Sequence, residues 1–350
     1  MIVLPCIDLE ETLKFFVDEV GFKLEMITPA DNPRSAVIAG YGTRVCLDTE
    51  FSGAPGLLRL ETNSETNSRK IAPNGTSIEF LSKNHTPIYE VLDDALIVSK
   101  LSAEVSMTTG RAGMIYRDLI PGRLGGRVIA SHIHITNGGP VPDYVHYHRV
   151  EFQMIYCKSG WVRVVYEDQG ESFVMHAGDC VLQPPEIRHR VLESSDNLEV
   201  IEISSPAEHE TFAEHEITLP TSTLRPDRDF SSQKFVRHIA TETQLLPWRF
   251  PGFVSRNTGI DKATNNLASA ETVRGEVSAT ISDTTKSHEL FFVFVLNGAA
   301  SLSMKDSNQK TILNINSSVV LPNNCEFKLE ITSPNTEMLV TKLSFLQGTL

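Results

Sequence analysis

The sequence predicts a mainly β protein, in which one small barrel occurs twice after a short α+β module. Three features point there. From Ala112 onward, short apolar runs alternate with Gly and Pro, the usual sequence form of a β-sandwich or small barrel. A fixed offset relates the two halves of that region: Gly160 and Gly298 are 138 residues apart, as are Pro184 and Pro322, and Gly178 falls on Asn316. Ahead of both, the stretch after Asp8 carries helical periodicity.

In order along the chain, residues 2 to 7 are an apolar strand candidate. Asp8 can cap the helix that follows, on which Leu9, Leu13, Phe16 and Val20 share a face, and Gly21 ends it. Strand-like runs follow at 22 to 27, 35 to 39 and 43 to 48. After a polar run from Glu61 to Asn74, Thr76 to Leu81 reads as a last strand. Residues 86 to 101 form a bridge with a helical turn around Tyr89 to Leu96. The first barrel draws on strands between 112 and 203. The segment 206 to 235, rich in Pro, Thr, Ser and Asp, reads as a linker or strap. A second set of strands runs from about Val236 to Ser344. The expected domains are therefore 1–95, 96–220 and 221–350.

Composition narrows the function classes. In a chain of 350 residues, 41% apolar content is enough to give each domain its own core. With 44 acidic against 31 basic residues, the net charge of -13 argues against nucleic acid or an anionic membrane as partner. Cys6, Cys46, Cys157, Cys180 and Cys325 are scattered and show no C-x-x-C spacing, which suits reduced core thiols in a cytoplasmic protein. The start has no basic region before its apolar run and is not read as a secretory signal. No apolar run approaches the roughly 18 residues of a membrane span.

The chemistry concentrates between Tyr144 and Glu193. Two residues apart on a strand, His146 and His148 point to one face, so both imidazoles can reach one ion. A third, His189, arrives from another strand. This stretch resembles the cupin signature, G-x5-H-x-H-x3,4-E-x6-G followed by G-x5-P-x-G-x2-H-x3-N. Here His146-x-His148, four residues, Gln153, six residues and Gly160 are followed by Gly178, five residues, Pro184, four residues and His189. Four positions depart: Pro140 and Glu186 stand where the family has Gly, Gln153 where it usually has Glu, and Glu193 where it has Asn.

The resemblance implies a bicupin, two RmlC-like jelly-roll barrels preceded by the α+β module, with His146, His148, Gln153 and His189 as metal ligands. The offset of 138 carries those ligands onto Thr284, Lys286, Phe291 and Phe327, so the second barrel is expected to be degenerate and without metal. Glu151, a true carboxylate two residues away, competes with Gln153 for the fourth place. Neutral imidazoles accept Fe(II), which is favoured, or Mn, Zn, Ni or Cu. Gln153 offers only a neutral carbonyl, so the ligands leave the ion's charge intact and favour a small anionic substrate bound through two oxygens.

The family resemblance implies a metal-dependent enzyme, foremost an Fe(II) dioxygenase acting on a small oxygenated or aromatic acid. A non-oxidative isomerase, lyase or hydrolase is the second reading, and a ligand-binding module with a structural ion the third. His132 and His134 share a face and could line the barrel mouth. By alternation Tyr156, Arg188 and Arg190 face away from the ion, while His176, His209 and His215 are expected to be solvated and His288 to be a surface or turn residue.

The first 80 residues, in βαβββ order with Phe-Phe-Val-Asp-Glu-Val-Gly-Phe at the helix exit, look like one module of the glyoxalase or vicinal-oxygen-chelate superfamily. That family usually has a metal ligand on the first strand, where residues 2 to 7 offer none, and Glu79 alone matches the ligand of the last strand. A metal-free packing or dimerising module is therefore expected, and a homodimer is plausible on the same resemblance.

Overall fold

Asp8 accepts a hydrogen bond from Glu11 N at 2.9 Å and opens the helix Leu9–Lys14, which continues as a wider turn through Phe15–Val20. Gly21 closes it in the left-handed region, φ 94°. The structure is a computed structural model describing residues 1–64, 67–83, 95–102, 107–305 and 309–345. The chain divides into two units, Met1–Pro87 and Ile88–Leu350. The helical turn expected around Tyr89 to Leu96 falls, up to residue 94, outside the described residues.

In the first unit, Ile2–Pro5 runs parallel to Thr43–Asp48, and Ser35–Gly40 and Lys23–Thr28 extend that sheet antiparallel. Phe16, Phe22, Ile38 and Leu47 are buried where helix and sheet meet. The polar run from Glu61 to Asn74 is a correction. It holds the end of one strand, Leu57–Thr62, and another, Ser68–Ile71, both paired with Ser77–Ser82 in a small separate sheet. Ser68–Ile71 is mostly exposed, so its polar side chains give no alternation to read. Glu79, the ligand candidate, pairs with Arg59 on the neighbouring strand at 2.9 Å.

The second unit contains both barrels, and the offset of 138 holds through their central strands and turns. Phe152–Ser159 answers Glu289–Asn297, with a bulge after Cys157 in one and after Val295 in the other. Met154 pairs with Leu182 as Phe292 pairs with Val320. Gly160 and Gly298 both have φ 76°; a Cβ on the first would strike Ser195 and Leu198, and on the second Ser333 and Thr336, again the same positions. Gly178 and Asn316 are both left-handed, a conformation Asn tolerates better than most residues.

Each barrel is a seven-stranded sheet closed over a smaller one. The outer faces of the two seven-stranded sheets share one apolar cluster, with Phe152, Met154, Tyr156 and Ile203 from the first barrel and Phe292, Phe294, Leu339 and Leu343 from the second. Their inner faces line separate cores. Edge strands are exchanged: Ile97–Ser99 pairs with Ser318–Leu321 of the second barrel, and Val236–His238 pairs with Cys180–Leu182 of the first. Each lies across the boundary expected at 96 or 221.

The segment after residue 206 is a strap held to the first barrel. Asp168, buried at the tip of a hairpin, accepts from Arg225 at 2.5 Å, from Arg228 and Thr223 at 2.8 Å, and from Thr221. Those bonds hold its carboxyl below the ordinary range although burial alone would raise it. The five cysteines are free thiols, four of them buried. Among the described residues no helix is long and apolar enough to cross a membrane.

Candidate metal centre

The strand His146–His148 lies between His189–Ser194 on one side and the strap strand Thr211–Ala213 on the other. His146 stands directly opposite His189, and alternation puts His148 on the same face. The three ring centroids lie 4.2 to 5.2 Å apart. One nitrogen from each ring falls within 4.8 Å of the other two, the single such group of His, Cys, Asp or Glu among the described residues.

Each ring is steered through its other nitrogen. His146 Nδ1 donates to Tyr144 O at 2.8 Å, His189 Nδ1 donates to Ile187 O at 3.0 Å, and His148 Nδ1 lies 2.8 Å from Thr211 Oγ1. A backbone carbonyl only accepts, so it fixes the tautomer in which Nε2 carries the lone pair. Asp143, wholly buried, adds a carboxylate 3.6 Å from His146 Nδ1 while accepting from Val191 N at 2.9 Å. Three imidazoles oriented in this way are a donor set that suits a divalent transition metal.

His148 and His189 border a cavity of about 80 Å³ inside the first barrel. At roughly 15 Å³ for each water-sized centre, that admits a molecule of a few heavy atoms. Most of its wall is apolar, from Ile133, Ile155, Val162, Val164, Val191 and Leu198. The polar corner is a chain of side chains. Tyr166 OH donates to Gln183 Oε1 at 2.5 Å, Gln183 Nε2 to Gln153 Oε1 at 3.0 Å, and Gln153 Nε2 to Glu202 Oε1 at 2.8 Å. Burial pushes the Tyr166 phenol far up, which keeps it a donor.

Gln153 thus faces the cavity beside the three histidines, with its carbonyl held by Gln183 and its amide nitrogen by a carboxylate. Glu151, its rival, is exposed and lines a different cleft with Arg149 and Glu186. His132 and His134 do not reach the cavity, because Ile133 and Ile135 take the inner face of that strand. His132 instead bonds Glu199 at 2.6 Å and abuts Phe294 of the second barrel. Tyr156 faces the inter-barrel cluster, and Arg188 lies over Tyr147 and pairs with Glu214. His176 and His215 are exposed, and His288 is at a turn with φ 56°. His209 is a correction: it is half-buried, with its ring 5.5 Å from that of His148, because Nδ1 is tied to Pro206 O at the root of the strap.

Glu186 takes the place of a family glycine and still adopts φ 61°, donating its N–H to His148 O at 3.1 Å. The turn that carries His189 is therefore kept at the expense of some backbone strain.

Gln183, Glu202, Tyr166, Asp143 and Thr211 were not among the residues singled out from sequence. Val181 and Gln183 alternate inward, as do Leu198, Val200 and Glu202, but Cys180, Leu182, Ile201 and Ile203 on the same strands pack between the barrels and are apolar too. A strand buried on both faces does not show which face is the inner one.

Residues 131–204 match the family described as Cupin domain. Among solved structures, a mutant of Bacillus subtilis oxalate decarboxylase is similar at TM-score 0.51 and 11% identity, over 69% of this chain and 75% of that one. A Lactobacillus farciminis oxalate decarboxylase formate complex is similar at TM-score 0.51 and 12% identity, over 70% and 87%. At these identities the likeness is one of fold. No curated protein matches the sequence.

Proposed function

We propose, from the premise of a cupin domain within a two-barrel jelly-roll fold, that the protein is a metal-dependent enzyme acting on a small oxygenated or aromatic acid, foremost as an Fe(II) dioxygenase. The observation that carries this is the convergence of His146, His148 and His189 beside a small, mostly apolar cavity. When bound, a divalent ion would supply Lewis-acid activation and, as Fe(II), electrons for chemistry with O2.

The chain's own residues supply the rest. The apolar wall keeps water from the reacting atoms and strengthens the electrostatics of the polar corner. Gln153 either completes the ligand set through its carbonyl or tunes it from beside the histidines. Glu202, held by Gln153 and by Ser204 Oγ at 3.2 Å, changes the charge balance expected from the ligands alone. Glu202 beside Gln153 and Asp143 behind His146 together lower the positive charge around a divalent ion, which favours a monoanionic over a dianionic acid. Cavity size favours a compact acid over a large aromatic one.

A non-oxidative lyase is the second reading, favoured by the decarboxylases that share the fold. The test is turnover of small mono- and dicarboxylates by the Fe(II)-loaded protein with an oxygen electrode. Oxygen uptake matching substrate loss supports the dioxygenase; unchanged turnover without O2 supports the lyase. An ion held without turnover leaves the ligand-binding module.

For the N-terminal unit we propose a metal-free relative of the vicinal-oxygen-chelate module. In its support, the parallel pairing of first and last strands recurs in truncated form in the small sheet of Leu57–Thr62 and Ser77–Ser82.

A further inference from the structure

We propose that Gln183 grips the substrate's oxyanion at this centre through a hydrogen bond from its amide Nε2. The inference rests on His146, His148 and His189 being the metal ligands, and it adds a residue that neither the motif nor the histidine geometry assigns.

The polar chain beside the centre runs in one direction. Glu202 is its acceptor end, so Gln153 must present its amide nitrogen there and turn its carbonyl toward Gln183. Gln183 answers with Nε2 at 3.0 Å, and Tyr166, by donating to Gln183 Oε1, locks the amide in that sense. Neither amide can flip without breaking two bonds.

Gln183 Nε2 has two hydrogens. One goes to Gln153; the other lies toward His189 Nε2, 3.4 Å away. His189 Nδ1 is committed to Ile187 O, so Nε2 is the nitrogen that His189 can give to an ion. Once it does, that lone pair no longer accepts from Gln183. A donor on a residue only 2% exposed is then left needing an acceptor, which is costly to leave unmade. Ile155, Val162, Val164 and Val191 offer none. Gln153 and Glu202 are already engaged in the chain, so an occupant of the cavity can supply the acceptor, and a carboxylate, enolate or alkoxide oxygen held at the ion meets the need. Preorganised donors of this kind bind developing or resident negative charge without reorganising.

The test uses the full-length protein loaded with Co(II), titrated with acetate and followed by its visible spectrum, alongside metal content and melting midpoint. Gln183→Leu keeps size and removes the donor; Tyr166→Phe removes only the lock on the amide. Expected is wild-type metal content in both variants, with acetate bound roughly tenfold or more weakly in Gln183→Leu and less weakened in Tyr166→Phe. Gln183→Leu holding its ion and binding acetate as the wild type does overturns the inference and leaves the metal centre standing, as does a wild-type spectrum that ignores acetate. A wild-type protein that takes up no Co(II) overturns both. If Gln183→Leu fails to fold, the Tyr166→Phe titration decides, unchanged affinity counting against the inference.

Discussion

Phe291 and Phe327 meet nearly edge to face, ring centroids 5.3 Å apart, at the positions where the first barrel has Gln153 and His189. Lys342 lies with its ammonium 4.7 Å above the Phe291 ring. These positions thus hold an aromatic pair with a cation against it, an arrangement that repels a divalent ion. Elemental analysis should therefore find one ion per chain, and none in His148→Ala. Phe327→Ala should leave that single ion in place while lowering stability by about 3–5 kcal/mol, measured by denaturant unfolding.

Thr211 belongs to the strap yet bonds His148. Partners at the far nitrogen of a ligating histidine are typically worth about 10–100-fold in metal affinity. Thr211→Ala should weaken metal binding by that factor and Thr211→Ser should restore it, as read by competition with a chelator.

The left-handed Glu186 stores strain that glycine would release. Glu186→Gly should raise stability by about 1 kcal/mol, less whatever the exposed Arg149 contact contributes, with metal content unchanged. A lower unfolding midpoint in this variant would show that the turn is relaxed.

Glu199 receives His132 at 2.6 Å and Lys158 at 2.7 Å on one oxygen. The His132 hydrogen bond, ahead of the lysine, holds its carboxyl down to about 2, while burial keeps His132 itself below its ordinary value and so neutral. A carboxyl depressed on folding contributes stability that is fully present above its unfolded value of about 4.3 and lost as pH falls toward 2. Glu199→Gln should be less stable at pH 7, on the order of 2 kcal/mol, and the gap should narrow at pH 3 in urea titrations.

Backbone requirements made the duplication legible. Gly160, Gly298 and Gly178 are held by turns that few residues tolerate, so their spacing survives where side-chain chemistry has changed. The same spacing drew attention to His146, His148 and His189. Glu202 and Gln183 stayed hidden because Cys180, Leu182, Ile201 and Ile203 on the opposite face of their strands are apolar as well, and Thr211 because a polar strap shows no periodicity. Charge accounting confined to the ligands consequently overlooked a carboxylate in contact with Gln153.

The exchanged strands make each barrel dependent on a segment from the other half of the chain. Without Val236–His238 the sheet behind Gln153 would end at an open edge, and the opposite barrel depends on Ile97–Ser99 in the same way. Substitutions in the second half that unpair Val236–His238 should therefore disturb the sheet of the barrel that carries His146, His148 and His189.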